Sequence, residues 1–340
     1  AATSLWLDLP AGTPERHGLE SVDHAVLTSH LVLQNGEELF MGQLSPKEQP
    51  WLRDHEVLGA VLYPGSGLVE LVIAAGIRVG YPALKELVIQ NPLVFQEGDV
   101  RTVMVVVAVA EGGVRLVRVL SRHEGFEWIS HAEGQLVQGK AEPVAMPEWK
   151  LREDQELEVE KGYERLAERG FAYGLAFRAL RRAWASSDGS TGEVELSTIV
   201  DEEGYVIHPA LLDAAMHPAL IAGAGGDHAT LPFVWNDVTV HQSGVRRGVT
   251  QIIQPREDSL SLRFLDEFGL PVVEVGAVTG RVVSEPQLRG SMEDLYVTNW
   301  ELVGSLPTGR MDSAVHVVVA DSAKTAQPAA TAEVLERVLA

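Results

Sequence analysis

Residues 54–80 read DHEVLGAVLYPGSGLVELVIAAGIRVG, and the rest of the chain is organised around them. His55 opens the stretch in an extended or irregular run, Gly59 follows four residues later and Pro64 five after that, giving H-x3-G-x4-P. Leu68, Val69, Leu71, Val72, Ile73, Ala74, Ala75 and Ile77 are apolar nearly all the way round a helix, which predicts a helix buried in a core. Pro64 suits the helix start because its missing N–H would have no partner there, and Gly65 lets backbone donors at that start come close to a ligand. The stretch therefore sets an imidazole beside the positive end of a buried helix.

The 340 residues suffice for two packed domains or one large one, and 46% hydrophobic with 22% charged residues is an ordinary globular balance. No apolar run reaches the ~20 residues that span a bilayer. The absence of cysteine excludes disulfides and thiolate metal sites and fits a reducing, cytoplasmic setting. A formal charge of −21 argues against nucleic acid and anionic membranes as partners. An acidic partner would need a local basic patch, for which Arg178, Arg181 and Arg182 in FRALRRAW are the candidates, beside the plainer reading of a solvated arginine face.

Residues 17–45 predict strands around an Asn35-Gly36 turn; His24 and His30 in them receive no role. LKELVIQNPLVF, VRTVMVVVAVAE, VRLVRVLSR and FEWISHAEGQLVQG predict an antiparallel sheet after the helix. AEPVAMPEWKLREDQELEVEKG (141–162) reads as a polar, acidic linker, and the pattern then begins again. HPALLDAAMHPALIAGAG predicts a second buried helix over 209–222, matching 64–80; FVWNDVTVHQ matches LKELVIQNPL, and LPVVEVGAVTGRVV matches FEWISHAEGQLV. Such a repeat predicts two sheets, each wrapped on a long central helix and packed side by side. The expected divisions are 1–145, a linker at 146–160, 161–285, and an α/β tail at 286–340 that lacks a G-x-G-x-x-G loop for a nucleotide.

Asp213 sits among Ala210, Leu211, Leu212, Ala214, Ala215 and Met216. A carboxyl there is costly to bury and a poor helix former, so a local rule is broken, which marks functional positions. A core carboxyl bonded to backbone is the structural alternative. His217, one turn on, shares its face and would orient it. A metal reading would join Asp213 and His217 to His55 as third ligand, but no other ligands cluster nearby. If the two helix starts face each other, His55 meets Asp213 across an apolar groove, an arrangement suited to syn removal of water from a β-hydroxyacyl compound. His55 would take the proton next to the carbonyl, Asp213, kept protonated by its apolar surroundings, would protonate the departing hydroxyl, and N–H groups near Gly65 would hold the enolate oxygen. Neither metal nor cofactor is called for.

Four motifs in this order, HEVLGAVLYP (55–64), YGLAF (173–177), HPALLDAAMH (208–217) and LPFVW (231–235), resemble the dehydratase domain of modular type I polyketide synthases across residues 15–285. The resemblance implies an α+β double hotdog with His55 and Asp213 as the catalytic pair. Gly59, Pro64, Gly65, Tyr173, Gly174, Phe177, His217, Leu231, Pro232 and Phe233 become the supporting or substrate-binding residues. It also implies a substrate carried on the phosphopantetheine of an acyl carrier protein, a homodimer, and a tail from about Leu295 that begins a neighbouring ketoreductase. One departure stands out: the tyrosine motif of the family usually has proline where this chain has Leu175, a place near the substrate tunnel. That change is either neutral or the mark of a relative that also closes a pyran ring or shifts the double bond. A non-catalytic scaffold is the reading of a different class, opposed by the intact His55–Asp213 pair.

Overall fold

Strand and helix order in the computed structural model repeats once. The first half runs β1 (Glu20–Ser21), β2 (Leu27–Val32), β3 (Glu38–Leu44), β4 (His55–Val57), β5 (Ala60–Leu62), α1 (Gly65–Arg78), β6 (Ala83–Ile89), β7 (Val94–Phe95), β8 (Arg101–Val107), β9 (Val114–Arg122) and β10 (Ile129–Val137). The second runs β11 (Gln155–Leu157), α2 (Val159–Glu168), β12 (Phe171–Tyr173), β13 (Leu180–Ser186), β14 (Gly189–Glu195), α3 (Pro209–Ala214), α4 (His217–Ala222), β15 (Thr230–Val240), β16 (Arg247–Arg256), β17 (Ser259–Leu265) and β18 (Pro271–Val282). The structure describes residues 19–139, 155–223, 226, 228–256 and 259–288, all within a unit spanning Ala1–Leu295.

The two sheets expected side by side are joined edge to edge into one of 14 strands, ordered β1-β2-β3-β8-β9-β10-β6-β15-β18-β17-β16-β14-β13-β11. Each half contributes seven strands in mirrored order about the β6–β15 seam, where Leu87 faces Trp235 and Glu86 faces Asn236. Pairing across the seam satisfies the row of N–H and C=O groups that each half would otherwise expose as an edge. The matches read from sequence hold: β6 corresponds to β15 and β10 to β18.

Helix α1 starts after Pro64, at φ −67° and ψ 151°, and buries Leu68, Val69, Leu71, Val72, Ile73 and Ala75 against the sheet. Its counterpart differs from the expectation of one helix over 209–222. It is broken into α3 and α4, because Pro218 lacks an N–H and its ring conflicts with the carbonyl of residue 214. Asp213 therefore lies at the end of a short helix rather than in the middle of a long one. Residues 155–160, expected in the linker, form β11 and the start of α2, with β11 paired to β13; residues 146–154 lie outside the described residues. The boundary at 285/286 is also too early, since Gln287 and Leu288 line the central cavity. The expected α/β tail beyond them lies outside the described residues.

Candidate active site

The position of His55 follows from a two-residue hairpin. Leu58 and Gly59 both take positive φ, 50° and 77°, between β4 and β5, the conformation that matches the twist of flanking strands and that glycine adopts most readily. The register Val57–Ala60 and Glu56–Val61 carries His55 to Leu62, whose carbonyl accepts a hydrogen bond from Nδ1–H at 3.0 Å. A carbonyl can only accept, so the proton sits on Nδ1, and the Nε2 lone pair has no hydrogen-bond partner among the described residues. Burial is the main cause that lowers the pKa of His55 below its ordinary 6.5, ahead of the opposing charge of Asp213. The ring is a neutral base.

Strand β12, from the second half, pairs with β4, from the first, and sets Tyr173 opposite His55. The rings of Phe177 and Tyr173 stand 4.8 and 5.8 Å from the imidazole. Asp54, next to His55, fastens the loop after Tyr173: its carbonyl accepts from Gly174 N–H at 2.8 Å, and its carboxylate from Ala176 N–H at 2.8 Å. Gly174 is required here, because a Cβ would lie 2.3 Å from the Asp54 carboxylate.

Asp213 is 5% exposed, and its Oδ2 meets His217 Nε2 at 3.0 Å, as the i, i+4 spacing predicts. The Tyr173 hydroxyl also bonds Asp213, and burial holds that phenol well above its ordinary pKa, so it remains a donor. The starts of the two central helices are fastened together, with Ser66 Oγ donating to the Pro209 carbonyl at 2.9 Å.

His55 and Asp213 line one cavity of about 330 Å³. Of the supporting residues named from sequence, Gly65, Tyr173, Leu231, Pro232 and Phe233 line it with them. Gly59, Pro64, Gly174, Phe177 and His217 do not; they shape the hairpin, the helix start, the loop and the Asp213 orientation. Sequence reasoning missed Tyr63, Leu93, Phe171, Met216, Leu220 and Arg281 in the lining. Their positions follow from long-range packing that no local pattern records. The Tyr63 hydroxyl is buried and without a partner among the described residues. Leu175 is 68% exposed and outside the lining, so the departure at this position does not shape the cavity.

The arginine patch is corrected by its surroundings. Arg178 pairs with Glu160, Arg181 with Glu195 at 3.4 Å, and Arg182 with Glu156 at 3.1 Å and Glu193 at 3.7 Å. Each cation is matched by a carboxylate of its own neighbourhood, so these three do not form a free basic surface. Both nitrogens of His217 are engaged in hydrogen bonds, and among the described residues no three His, Asp or Glu gather as a metal-holding group. No helix among them is long and apolar enough to cross a membrane.

Residues 24–122 match the family model described as polyketide synthase dehydratase domain, and residues 141–290 the one described as polyketide synthase dehydratase N-terminal domain. The chain is 39% identical over 298 residues to mycoketide-CoA synthase of Mycobacterium tuberculosis, covering 83% of this chain and 7% of that protein. It is 37% identical over 311 residues to erythronolide synthase EryA2 of Saccharopolyspora erythraea, covering 87% of this chain and 9% of that protein. The chain thus spans less than a tenth of these two relatives. Among solved structures, the erythromycin dehydratase matches with a TM-score of 0.71 at 36% identity, covering 79% of this chain and 100% of that one. The dehydratase domain from the terminal module of the rifamycin polyketide synthase matches with 0.73 at 34%, again covering 79% and 100%. The α+β double hotdog, the motifs and these matches agree, and the chain belongs to the dehydratase domains of modular type I polyketide synthases, a family of hydro-lyases.

Proposed function

We propose that this chain removes water from a 3-hydroxyacyl thioester carried on the phosphopantetheine arm of an acyl carrier protein, leaving an α,β-unsaturated thioester. The observation that carries the reading is the shared cavity: an imidazole whose Nδ1 is engaged by a carbonyl, from one half, and a carboxyl from the other line the same space. His55 Nε2 takes the proton from C2, the C3–O bond breaks, Asp213 protonates the departing hydroxyl, and C2 and C3 become doubly bonded. Water leaves, and the proton gained by His55 returns to Asp213 to reset the pair. The first N–H groups of α1 have no acceptor within the helix, and beside Gly65 they stabilise the enolate oxygen of the thioester. These steps draw on side chains and backbone alone, without a cofactor. The family supports placing the chain beside a carrier protein and a ketoreductase in a dimeric synthase, in a cytoplasmic setting.

Both 3-hydroxy epimers of a model acyl pantetheine thioester test the reading, with the product and its double-bond geometry followed by NMR. The parent is expected to convert one epimer to the enoyl thioester. His55→Phe, folded by its unfolding transition, is expected to lose at least about 100-fold in kcat, the scale of a general base. Turnover by His55→Phe at the parent rate would overturn the assignment of the base.

A further inference from the structure

Behind Asp213 three hydrogen bonds run in series, and their direction follows from where the phenol proton finds an acceptor. The Leu180 backbone N–H can only donate, and it meets Tyr163 Oη at 3.3 Å. Tyr163 Oη meets His217 Nδ1 at 3.0 Å, and His217 Nε2 meets Asp213 Oδ2 at 3.0 Å. Among the described residues, Nδ1 is the acceptor that the structure gives the phenol proton. The Arg178 guanidinium, 4.9 Å over the Tyr163 ring, offers only donors, and burial pushes the phenol pKa up, so it keeps its proton. With Nδ1 receiving that proton, the imidazole proton belongs on Nε2, directed at Oδ2.

We propose that Tyr163 fixes the tautomer of His217 and thereby decides which oxygen of Asp213 carries the proton given to the leaving hydroxyl. This rests on the reading of Asp213 as the acid. Oδ2 accepts from Nε2–H, and the Tyr173 hydroxyl is a further donor to the same carboxyl; with Oδ2 held as the acceptor of Nε2–H, the acidic proton is assigned to Oδ1. In the opposite tautomer, Nε2 would present a lone pair to the carboxyl and compete with the substrate for its proton. Tyr163 is a positioning residue: it lies outside the cavity lining and acts through His217. A sequence feature supports the contact. Gly162 lets α2 close on α4, since a Cβ there would lie 2.5 Å from Ile221, and this approach brings the neighbouring Tyr163 to the first residue of α4.

The test uses the 340-residue chain labelled with 15N-histidine, its His217 signals assigned by their loss in His217→Gln. Long-range 15N–1H spectra of the parent are expected to show a protonated Nε2 and an unprotonated Nδ1; a protonated Nδ1 overturns the proposal, whatever the turnover. In Tyr163→Phe, the two nitrogen shifts are expected to converge toward a tautomer mixture. With a 3-hydroxyacyl pantetheine thioester, kcat should fall about tenfold at little-changed KM, a part of what a whole general acid contributes. In His217→Gln an amide can donate to Asp213 and accept from Tyr163 without any tautomer to set. On that background the loss caused by Tyr163→Phe is expected to shrink about fivefold, as coupled residues do. Equal losses on both backgrounds, or unchanged nitrogen shifts in Tyr163→Phe, would leave Tyr163 a packing residue and overturn the proposal. A parent without turnover but with the Nε2–H tautomer counts against the dehydratase reading and not against the lock.

Discussion

Replacing His24 by asparagine tests how the two central helices are held in place. Glu70 lies on α1 with no exposed surface, and His24 Nε2 reaches both of its oxygens, at 3.0 and 3.1 Å. His24 Nδ1 accepts the backbone N–H groups of Val26 at 3.1 Å and Leu27 at 2.9 Å, so the ring proton belongs on Nε2 and points at the carboxylate. Glu70 Oε1 also accepts Val206 N–H at 3.0 Å, three residues before the helix that carries Asp213 begins. This one carboxylate ties the entry to β2, the middle of α1 and the approach to α3. In His24→Asn the amide oxygen replaces Nδ1 and still accepts the two N–H groups, but nothing replaces Nε2–H. The loss is one hydrogen bond to a buried charged group, about 1.5–3 kcal/mol. At about 2–4 °C per kcal/mol for a domain of this size, the midpoint should fall by roughly 3–12 °C. Urea unfolding gives the free energy directly, with an unchanged slope as the sign that the unfolded state is unaltered. Glu70→Gln leaves an amide N–H facing a donor and should cost a similar amount. The double variant should cost less than the sum by about 1 kcal/mol, as groups in contact do. A His24→Asn chain as stable as the parent within about 0.5 kcal/mol, the scale of a neutral surface change, would refute the argument that His24 compensates this charge.

Gly174→Ala should destabilise by about 1–3 kcal/mol, because the added Cβ displaces the Asp54 carboxylate and strands the Ala176 N–H; urea unfolding and kcat measure it, and unchanged values for both would show that the loop yields freely. Acid should act through the buried imidazoles: burial lowers His55 below 6.5, His131 to about 4 and His208 to about 3, so the unfolded chain binds more protons once the pH drops below 6.5. Their contribution is complete above pH 6.5 and is lost as the pH falls toward those values, on the order of 3 kcal/mol for His131 alone. Unfolding free energies at pH 7 and pH 4 read it, with a shallower fall expected in His131→Asn, and no difference between the two proteins would refute the assignment. The same shift in His55 places the acid limb of kcat/KM below pH 6.5.

Residues 54–80 were legible because their structure is local. A glycine at positive φ closes the hairpin, a proline starts the helix, and the apolar run needs a core. Asp213 was legible because it broke a rule, and Glu70 broke the same rule inside α1 without being noticed, although its setting among Val69, Leu71 and Val72 was equally plain. The helix break was also readable in principle, since Pro218 cannot sit four residues beyond a bonded carbonyl. The partnerships of Tyr163 with His217, Asp54 with Gly174 and Ser66 with Pro209 were not, because they join residues 54, 120 and 143 positions apart. For the arginines, the plainer of the two readings fits the pairing: Glu156, Glu160, Glu193 and Glu195 lie 11 to 26 positions away in sequence, and only the fold shows which arginine each one meets.

A repeated architecture here presents unlike groups to one cavity, His55 from one half and Asp213 from the other. The strands match one for one across the seam, but the central helices do not: α1 is unbroken over 14 residues, while its counterpart stops at Ala214 and restarts at His217. An unbroken second helix would carry Asp213 through a full set of backbone bonds and keep His217 on the same continuous turn. The break instead places the carboxyl at one helix end and the imidazole at the next helix start, where Tyr163 on α2 can reach it. The N-terminal half supplies the complementary parts, an uninterrupted helix whose first residue, Gly65, lines the cavity and a short hairpin that presents His55. Elimination of water needs a base on one side of the substrate and an acid on the other, and two identical helices would offer neither distinction. On the proposed reading, the asymmetry in the helices, carried on a symmetric sheet, is therefore what gives the cavity between them both an acid and a base.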